Sequence, residues 1–135
     1  MTASEPTLEQ RRAAFALARV RANQKVALGN YVSYVSALPA TIVMNGLGQA
    51  LAFLLAKDRG NGHDHRRLYQ DLAAWLSHQI PELRAAEDDL DNVLRKLVEA
   101  DQDVYLRAQA ESIAYLNWLK QFARAYLDDT EGQDD

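Results

Sequence analysis

The chain has 135 residues, of which 48% are hydrophobic and 25% charged, which is the composition of an ordinary globular protein with one core. It contains no cysteine, so disulfides, thiol catalysis and thiolate zinc sites are excluded. The net charge of −4 is unevenly distributed, because residues 1–70 carry nine basic and four acidic side chains whereas residues 71–135 carry six and fifteen.

This charge asymmetry predicts a basic surface suited to a polyanion and an acidic surface or tail elsewhere. The alternative is a mixed, solvated surface, since runs of charge commonly serve solubility alone. No apolar run reaches membrane-spanning length, and the charged N-terminus lacks the apolar segment of a secretory signal. We therefore expect a cytoplasmic protein without a membrane partner.

The first predicted helix begins at about Leu8 and extends at least to about Ala27. Thr7 and Gln10 have the spacing of a capping box, which marks a helix start. Apolar residues fall on two faces of this helix with arginines between them, and this pattern favours a helix packed within its own fold over one that binds a partner. A break is expected at Gly29-Asn30.

Residues 31–57 form the longest stretch with almost no charge. The elements predicted here are a short helix Tyr31–Leu38, a second one over Pro39–Met44, and an apolar helix from about Leu47 to Lys57. Pro39 should end the first of them, because the residue before a proline is disfavoured in the helical region. Asn45 or Gly46 can take the left-handed conformation that closes the second.

Three further helices follow a loop at residues 58–62. They are a helix over about His65–Gln79 with Asp64 as its cap, a helix within Glu82–Ala100 from about Asp88, and a last, longest helix from Asp101 or Asp103. The last helix has a broad apolar arc and should pack at the centre. The acidic tail, residues 128–135, is predicted to be disordered. The prediction is thus an all-α fold, a compact bundle of five to seven helices in one domain over residues 1–127.

Two stretches of the sequence resemble the signature of a known family. One is Asn45-Gly46-Leu47-Gly48-Gln49-Ala50-Leu51-Ala52-Phe53-Leu54, preceded by Leu38-Pro39-Ala40, and the other is Tyr115-Leu116-Asn117-Trp118-Leu119-Lys120-Gln121-Phe122-Ala123. In order and separation they are similar to the small helical subunit family of the type III-B CRISPR Cmr RNA-silencing complex. Most of these positions are core and turn residues.

The resemblance implies a non-catalytic structural subunit, without cofactor or metal, of a ribonucleoprotein in antiviral defence. Several copies would stack as a minor filament beside the guide RNA and the target RNA, next to other Cmr complex subunits that carry the cleavage chemistry. Contact with an RNA backbone requires Arg and Lys and no catalytic group. The candidate RNA-binding residues are Arg11, Arg12, Arg19, Arg21, Lys25, Lys57, Arg59, Arg66 and Arg67.

Among these candidates, Arg12 and Arg19 lie seven residues apart on one face of the first helix, and Arg66 and Arg67 lie beside the glycine loop. Reversing either pair to glutamate is predicted to leave folding intact and to weaken assembly on RNA. The alternative is that these arginines solvate the surface or pair with the acidic half of a neighbouring copy.

Two other functions remain open on the residues alone. One is a generic helical adaptor or dimerisation module that never touches RNA. The other is a small metal-dependent nuclease that uses the loop His63-Asp64-His65, since imidazole and carboxylate suit several divalent metals. Such a site needs further ligands, and His78 is the only other histidine. A surface loop with a capping Asp64 is the simpler interpretation, so no metal site is predicted.

The remaining motifs are weaker. The acidic residues at one helix start, where the helix dipole stabilises carboxylates, are Glu87, Asp88, Asp89 and Asp91. Gly46-Leu47-Gly48 precedes a helix, but a GxG motif alone does not specify a phosphate site. Tyr31 and Tyr34 could stack on bases, yet aromatic residues at helical spacing are more often core, and this also applies to Trp75 and Trp118.

Overall fold

A computed structural model of the protein describes residues 4–57 and 63–127, and these residues form a bundle of α-helices without a strand. The helices are α1 Leu8–Asn23, α2 Tyr31–Asn45, α3 Leu47–Lys57, α4 Asp64–Gln79, α5 Asp91–Glu99 and α6 Gln102–Tyr126. Short 3-10 turns at Pro81–Leu83 and Glu87–Asp89 lie between α4 and α5. The all-α prediction is confirmed, and the acidic tail lies outside the described residues.

Helix α1 begins at the predicted capping box and ends earlier than predicted. Thr7 Oγ1 accepts from the Gln10 backbone N–H at 3.1 Å, and the Gln10 side chain accepts from the Thr7 N–H at 2.8 Å. The helix ends at Asn23 and not near Ala27, because the next residues bond three positions back, as in the 3.1 Å bond from Val26 N to Asn23 O. One face, containing Ala16 and Val20, is buried.

Helix α2 runs through Pro39, so the prediction that Pro39 separates two helices is wrong. Its buried residues are Tyr31, Val35, Leu38 and Ile42, a stripe that continues on both sides of the proline. A proline inside a helix removes one backbone hydrogen bond and crowds the preceding turn. Packing of this continuous stripe against α3, α4 and α6 outweighs that loss.

The turn between α2 and α3 is built on two glycines that lie against α6. Gly46 has φ +89° and ψ 157°, a backbone conformation that is essentially restricted to glycine. The Gly48 N–H donates to Tyr105 Oη at 2.8 Å, and the Leu47 N–H donates to Gln109 Oε1 at 2.9 Å. Side chains of α6 therefore satisfy the free N–H groups at the start of α3.

Replacing Gly46 by alanine is expected to destabilise the protein by about 1–3 kcal/mol, because a Cβ is strained at this φ. Gly48→Ala is the matched control. A Cβ at either position would lie 3.2 Å from Tyr105 Oη, but only Gly46 has the positive φ. Urea denaturation of both variants measures the difference, and equal destabilisation would show that the Tyr105 contact, and not the backbone, sets the requirement.

Helix α4 is the most completely buried helix, and its predicted core residues Leu68, Leu72, Trp75 and Leu76 are all buried. Asp64 does not cap α4 as predicted. It is the first residue of that helix, and its carboxylate accepts from the backbone N–H of Asn30 at 2.5 Å. Since Asn30 is the N-cap of α2, Asp64 stabilises the start of a different helix from across the fold.

Helix α6 lies at the centre of the bundle, as predicted, and contacts each of the other five helices. Asp101 caps it by accepting from the Val104 N–H at 2.9 Å. Leu116, Leu119 and Ala123 are completely buried. Because α6 runs parallel to α1, their C-terminal ends meet, where the Gln24 side chain donates to Tyr126 O at 3.4 Å.

Candidate nucleic-acid interface

Arg12, a candidate for RNA contact, is engaged inside the protein. Its guanidinium donates two bonds to Glu111, at 2.6 Å and 2.9 Å, and a third to Glu9 at 2.8 Å. Glu111 also accepts from Trp75 Nε1 at 2.9 Å. These carboxylates raise the pKa of Arg12, although its partial burial acts in the opposite direction. The side chain is 17% exposed, so Arg12 has a structural role between α1 and α6.

Arg19 is bound to a carboxylate at the centre of the fold. Asp71 is completely buried and accepts from Arg19 Nε at 2.7 Å, Asn23 Nδ2 at 2.9 Å and Tyr31 Oη at 2.5 Å. We call Asp71 and these three donors the Asp71 cluster. Burial and the Asp71 charge raise the pKa of Tyr31 well above its ordinary value, so its hydroxyl stays a donor.

The two arginines after the glycine loop are also bound within the fold. Arg67 Nε donates to Asn23 Oδ1 at 2.5 Å, which connects it to the Asp71 cluster. Arg66 donates to Asp91 at 2.8 Å and 3.3 Å, with both side chains partly exposed. The structure therefore contradicts the prediction that either arginine pair can be reversed to glutamate without consequence for folding.

The exposed candidates on or beside α1 are Arg11, Arg21 and Lys25. Arg11, Ala14, Ala18 and Arg21 follow one another at helical spacing within an arc of about 80°, and Lys25 continues their line past the helix end. We call this surface the basic stripe. Arg11 donates to Pro6 O at 3.1 Å, whereas no carboxylate in residues 4–57 and 63–127 lies within ion-pairing distance of Arg21 or Lys25.

The basic stripe has the electrostatic character that a phosphate backbone requires. Glu9, the only acid in α1, pairs with Arg12 on another face of the helix. The two residues between Arg11 and Arg21 on this line are alanines, so no bulky side chain keeps a phosphate backbone away from the helix. The stripe extends about 15 Å from Arg11 to Arg21 at 1.5 Å per residue. It offers charge without a base-reading pattern.

The other two candidates lie elsewhere. Lys57, at the end of α3, is exposed, and its ammonium lies 5.7 Å from the centre of the Phe53 ring, in a cation–π geometry. Arg59 falls outside the described residues. The structure thus brings together three of the nine candidates on one solvent-facing surface and assigns internal partners to four.

The alternative motifs have structural roles. His65 stacks on Tyr34 with ring centroids 4.0 Å apart, and Asp64 is bonded to Asn30, so the loop His63-Asp64-His65 does not form a set of free ligands. Across residues 4–57 and 63–127, no three His, Asp or Glu side chains lie close enough together to hold a metal ion. The three N–H groups of the GxG motif are already bonded, those of Leu47 and Gly48 to side chains of α6 and that of Gly46 to Ile42 O at 2.7 Å.

Two of the four predicted core aromatics are buried, and the other two are half-buried. Tyr31 and Trp75 are each 1% exposed, whereas Tyr34 and Trp118 are half-buried against the core. Trp75 stacks on Tyr115 with ring centroids 5.4 Å apart. Tyr31 and Trp75 are therefore inaccessible to nucleobases.

Sequence interpretation missed Asp71 and Glu111, the two carboxylates that hold the arginines. Asp71 lies three residues after Leu68 and four before Trp75, on the buried face of α4. A carboxylate inside an apolar helical stripe indicates a buried partner of opposite charge. That signal was available from spacing, but the identity of the partner depended on how α1 packs on α4.

Lowering the pH is expected to weaken the Glu111 contacts. Burial alone would raise the pKa of Glu111, but its bonds from Arg12 and Trp75 lower it below the ordinary value of 4.5. Because this pKa is lower in the folded protein than in the unfolded chain, the Glu111 contacts stabilise the fold at pH values above the unfolded-state pKa. That stabilisation is lost as the pH falls through the folded-state pKa. Glu111→Gln should therefore be less stable than the original protein at pH 7, with a difference that shrinks below about pH 4. Thermal denaturation across pH measures this, and a constant difference would contradict it.

Comparisons with known proteins give a consistent result. Residues 8–126 match the model of a family of CRISPR-associated proteins, Cas_Cmr5. A relative from Thermus thermophilus, the CRISPR system Cmr subunit Cmr5, is 32% identical over 101 residues, which cover 75% of this chain and 78% of that protein. The crystal structure of a CRISPR-associated Cmr5 family protein from the same organism superposes with a TM-score of 0.72 at 32% identity, covering 92% of this chain and all of that one.

Proposed function

Because the chain belongs to the Cas_Cmr5 family of CRISPR-associated proteins, we propose that it is a non-catalytic subunit of a type III-B Cmr effector complex that contacts the RNA backbone through the basic stripe. The observation that carries the RNA contact is the solvent-facing line of Arg11, Arg21 and Lys25 on a helix whose one acid is turned to Arg12. Cations of this kind bind phosphates without regard to base sequence.

Copies of the chain stack beside the guide RNA and the target RNA. Three exposed cations make only a few phosphate contacts, each weakened by salt, so a single copy binds RNA weakly. Neighbouring copies on one duplex raise the effective concentration of each further contact. The assembly, and not the isolated chain, is then the unit that holds RNA.

The surface that we propose for contact with other proteins differs in charge from the basic stripe. Helix α2 carries no charged residue, and two of its apolar side chains are strongly exposed, Val43 at 71% and Met44 at 81%. An uncharged exposed surface of this kind has no attraction for phosphate and suits contact with another protein. We assign α2 to contacts with other Cmr subunits, in a complex located in the cytoplasm. None of the helices in residues 4–57 and 63–127 combines the length and the hydrophobicity of a membrane span.

The proposed absence of catalysis follows from what the buried carboxylates do. Asp71 accepts from three side chains, and Glu111 accepts from Arg12 and Trp75, so both serve as structural acceptors. The one hydroxyl that donates to the Asp71 carboxylate among the described residues is that of Tyr31, which is buried and therefore out of reach of a substrate. The cleavage chemistry belongs to other subunits.

The purified chain is expected not to cut RNA with Mg²⁺, Mn²⁺ or EDTA, and to enter a complex with RNA when the other Cmr subunits are supplied. Gel analysis of labelled RNA measures the first outcome, and size-exclusion chromatography with mass spectrometry measures the second. Metal-dependent cleavage that His63→Ala or His65→Ala abolishes would refute the non-catalytic role. Failure to join the reconstituted complex would refute the subunit assignment.

A further inference from the structure

A pocket opens on the protein surface between α1, the end of α4 and the segment 84–90. It has a volume of about 360 Å³, at the lower end of the range of about 300–1,000 Å³ for pockets that bind small molecules. Phe15 and His78 line it together with Arg84 and Glu87, and we call it the Phe15 pocket. Its size suits one planar ring system and not a helix or strand of a partner.

One wall of the Phe15 pocket is aromatic. The rings of Phe15 and His78 lie with their centroids 5.4 Å apart and their planes inclined by 30°. The rings of Trp75 and Tyr115 contact Phe15 edge-on, at centroid distances of 5.2 Å and 6.1 Å. Both of these rings are buried, so they support Phe15 from the core side. Phe15 and His78 therefore form a supported aromatic surface on which a planar ring can stack.

The segment 84–90, which forms another side of the pocket, is fixed by hydrogen bonds at both ends. Ser77 Oγ accepts from the Ala85 N–H at 2.8 Å and donates to Ala85 O at 3.1 Å. At the other end, Tyr69 Oη donates to Leu90 O at 2.8 Å. The pocket is thus formed before a ligand arrives, and binding does not have to order a loop.

The Phe15 pocket lies next to the basic stripe. Phe15 follows Arg11 by four residues in α1, which places their Cβ atoms about 5–6 Å apart on neighbouring turns. At 100° per residue, Phe15 points about 40° away from Arg11, on the side opposite to Arg21. A single nucleotide spans this distance between its phosphate and its base. A phosphate held by Arg11 therefore brings its base to the pocket.

The charged side chains of the pocket distinguish between bases. Glu87 supplies a carboxylate, which accepts hydrogen bonds and donates none. Cytosine, adenine and guanine each carry an exocyclic amino group that can donate to it, whereas uracil carries none. Arg84 supplies a planar guanidinium, a group that stacks on bases. Glu87 therefore favours the three amino-bearing bases over uracil.

We propose that the Phe15 pocket binds an unpaired nucleobase of an RNA whose phosphates lie on the basic stripe, with a preference for bases that carry an amino group. This inference rests on the proposed function, because the stripe holds the phosphates. The stripe contacts any RNA backbone, whereas the pocket accepts only a base that is not paired in a duplex. The pocket adds affinity for single-stranded RNA and gives a base preference that the stripe lacks.

An apolar side chain of a partner protein is the other occupant of matching size. It would cover Glu87 and Arg84 without offering either of them a hydrogen bond, and such desolvation of charged groups is costly. A nucleobase covers the aromatic wall and supplies polar edges to the charged groups. The chemistry of the pocket therefore favours the base.

Fluorescence anisotropy at low salt, with oligocytidine, oligouridine and an RNA duplex as ligands, tests this site. Phe15→Leu keeps an apolar contact with Trp75 and removes the aromatic face. It is expected to lower the affinity for oligocytidine by about fivefold or more and to leave the duplex affinity unchanged. Phe53→Leu is the matched control, since Phe53 is an exposed phenylalanine on α3, and it should change neither affinity. Circular dichroism verifies that both variants are folded.

The ratio of the affinities for oligocytidine and oligouridine reports on Glu87. Glu87→Ala should bring this ratio close to one. Asp88→Ala makes the same change in charge at the next exposed position and should keep the ratio of the original protein. Each variant loses one negative charge, so a general gain in RNA affinity is common to both and cancels in the ratio.

The other outcomes separate the base site from the proposed function. If Phe15→Leu binds oligocytidine as well as the original protein does, and the duplex is still bound, the base site is overturned and the proposed function stands. Equal losses on single strand and duplex would also overturn it, because Phe15 would then act through the stripe or the fold. If the original protein binds no RNA even in the assembled complex, the proposed RNA contact fails and the base site fails with it.

Two further results would assign the pocket to a different ligand and so overturn the proposal. One is that Phe15→Leu keeps all its RNA affinities but loses a Cmr subunit from the reconstituted complex, which would identify a site for a partner protein. The other is that free cytidine monophosphate competes as well as oligocytidine at equal nucleotide concentration. A base site beside the stripe predicts weak competition, because the free nucleotide lacks the neighbouring phosphates.

Discussion

Asp71→Ala is expected to destabilise the protein by about 3–5 kcal/mol, enough to unfold a marginally stable domain of this size. The substitution removes the acceptor of Arg19, Asn23 and Tyr31 at once. It leaves a guanidinium and two polar groups without their partner, two of them in a fully buried position. The cost of unsatisfied buried donors exceeds the net gain that the intact bonds provide.

Glu99→Ala is the matched control, because Glu99 also holds an arginine, Arg95, at 2.9 Å, but on the exposed surface of α5. That change should cost less than about 0.5 kcal/mol. Urea denaturation of both variants, followed by circular dichroism, gives the comparison. If Asp71→Ala were as mild as Glu99→Ala, the Asp71 cluster would not be a main source of stability.

The same cluster changes how RNA contacts must be tested. Reversing Arg19 to glutamate would place a second carboxylate against buried Asp71, and reversing Arg12 would do the same against Glu111. Loss of RNA binding in such variants would report unfolding and not a lost phosphate contact. Only substitutions in the basic stripe separate the loss of a phosphate contact from the loss of folding.

The helix boundaries could be predicted where they depend on residues that are close together in the sequence. The capping box at Thr7, the glycine turn before α3 and the start of α6 at Asp101 depend on residues within a few positions of each other, and all three are confirmed. Pro39 was misjudged because its local penalty is outweighed by packing with distant helices. The end of α1 was misjudged because Val26 is apolar and fits the helical spacing. In the structure it lies beyond the helix and is 40% exposed.

The candidate site could be predicted only in part, since composition identifies cations but not their partners. Nothing near Arg19 in the sequence reveals Asp71, which is 52 positions away, and Glu111 is 99 positions from Arg12. Long side chains reach such partners only after the helices have packed. The remaining exposed cations, and not the full set, form the surface on which an RNA contact can be proposed.

Reversal of the basic stripe by Arg11→Glu, Arg21→Glu and Lys25→Glu is expected to keep the fold and to abolish most binding of stacked copies to RNA duplexes. All three side chains are exposed, and none is bonded to a carboxylate in the described part of the chain, so the free energy of unfolding should change little. Each lost phosphate contact lowers the slope of log affinity against log salt by about 0.7–0.9, which amounts to roughly two to three for the stripe.

The control carries the same change in charge elsewhere, as Arg84→Glu, Arg95→Glu and Arg124→Glu, three exposed cations outside α1. If the stripe is the RNA-facing surface, the control should keep the original salt slope and lose only a modest amount of affinity through the altered net charge, because long-range repulsion is screened within about 10 Å at 0.1 M salt. Filter binding across a salt series, on duplexes of unrelated sequence, separates the cases. Equal losses in both triple variants would indicate that net charge alone governs RNA association. An unchanged slope in the stripe variant would place the RNA contact on another surface of the protein.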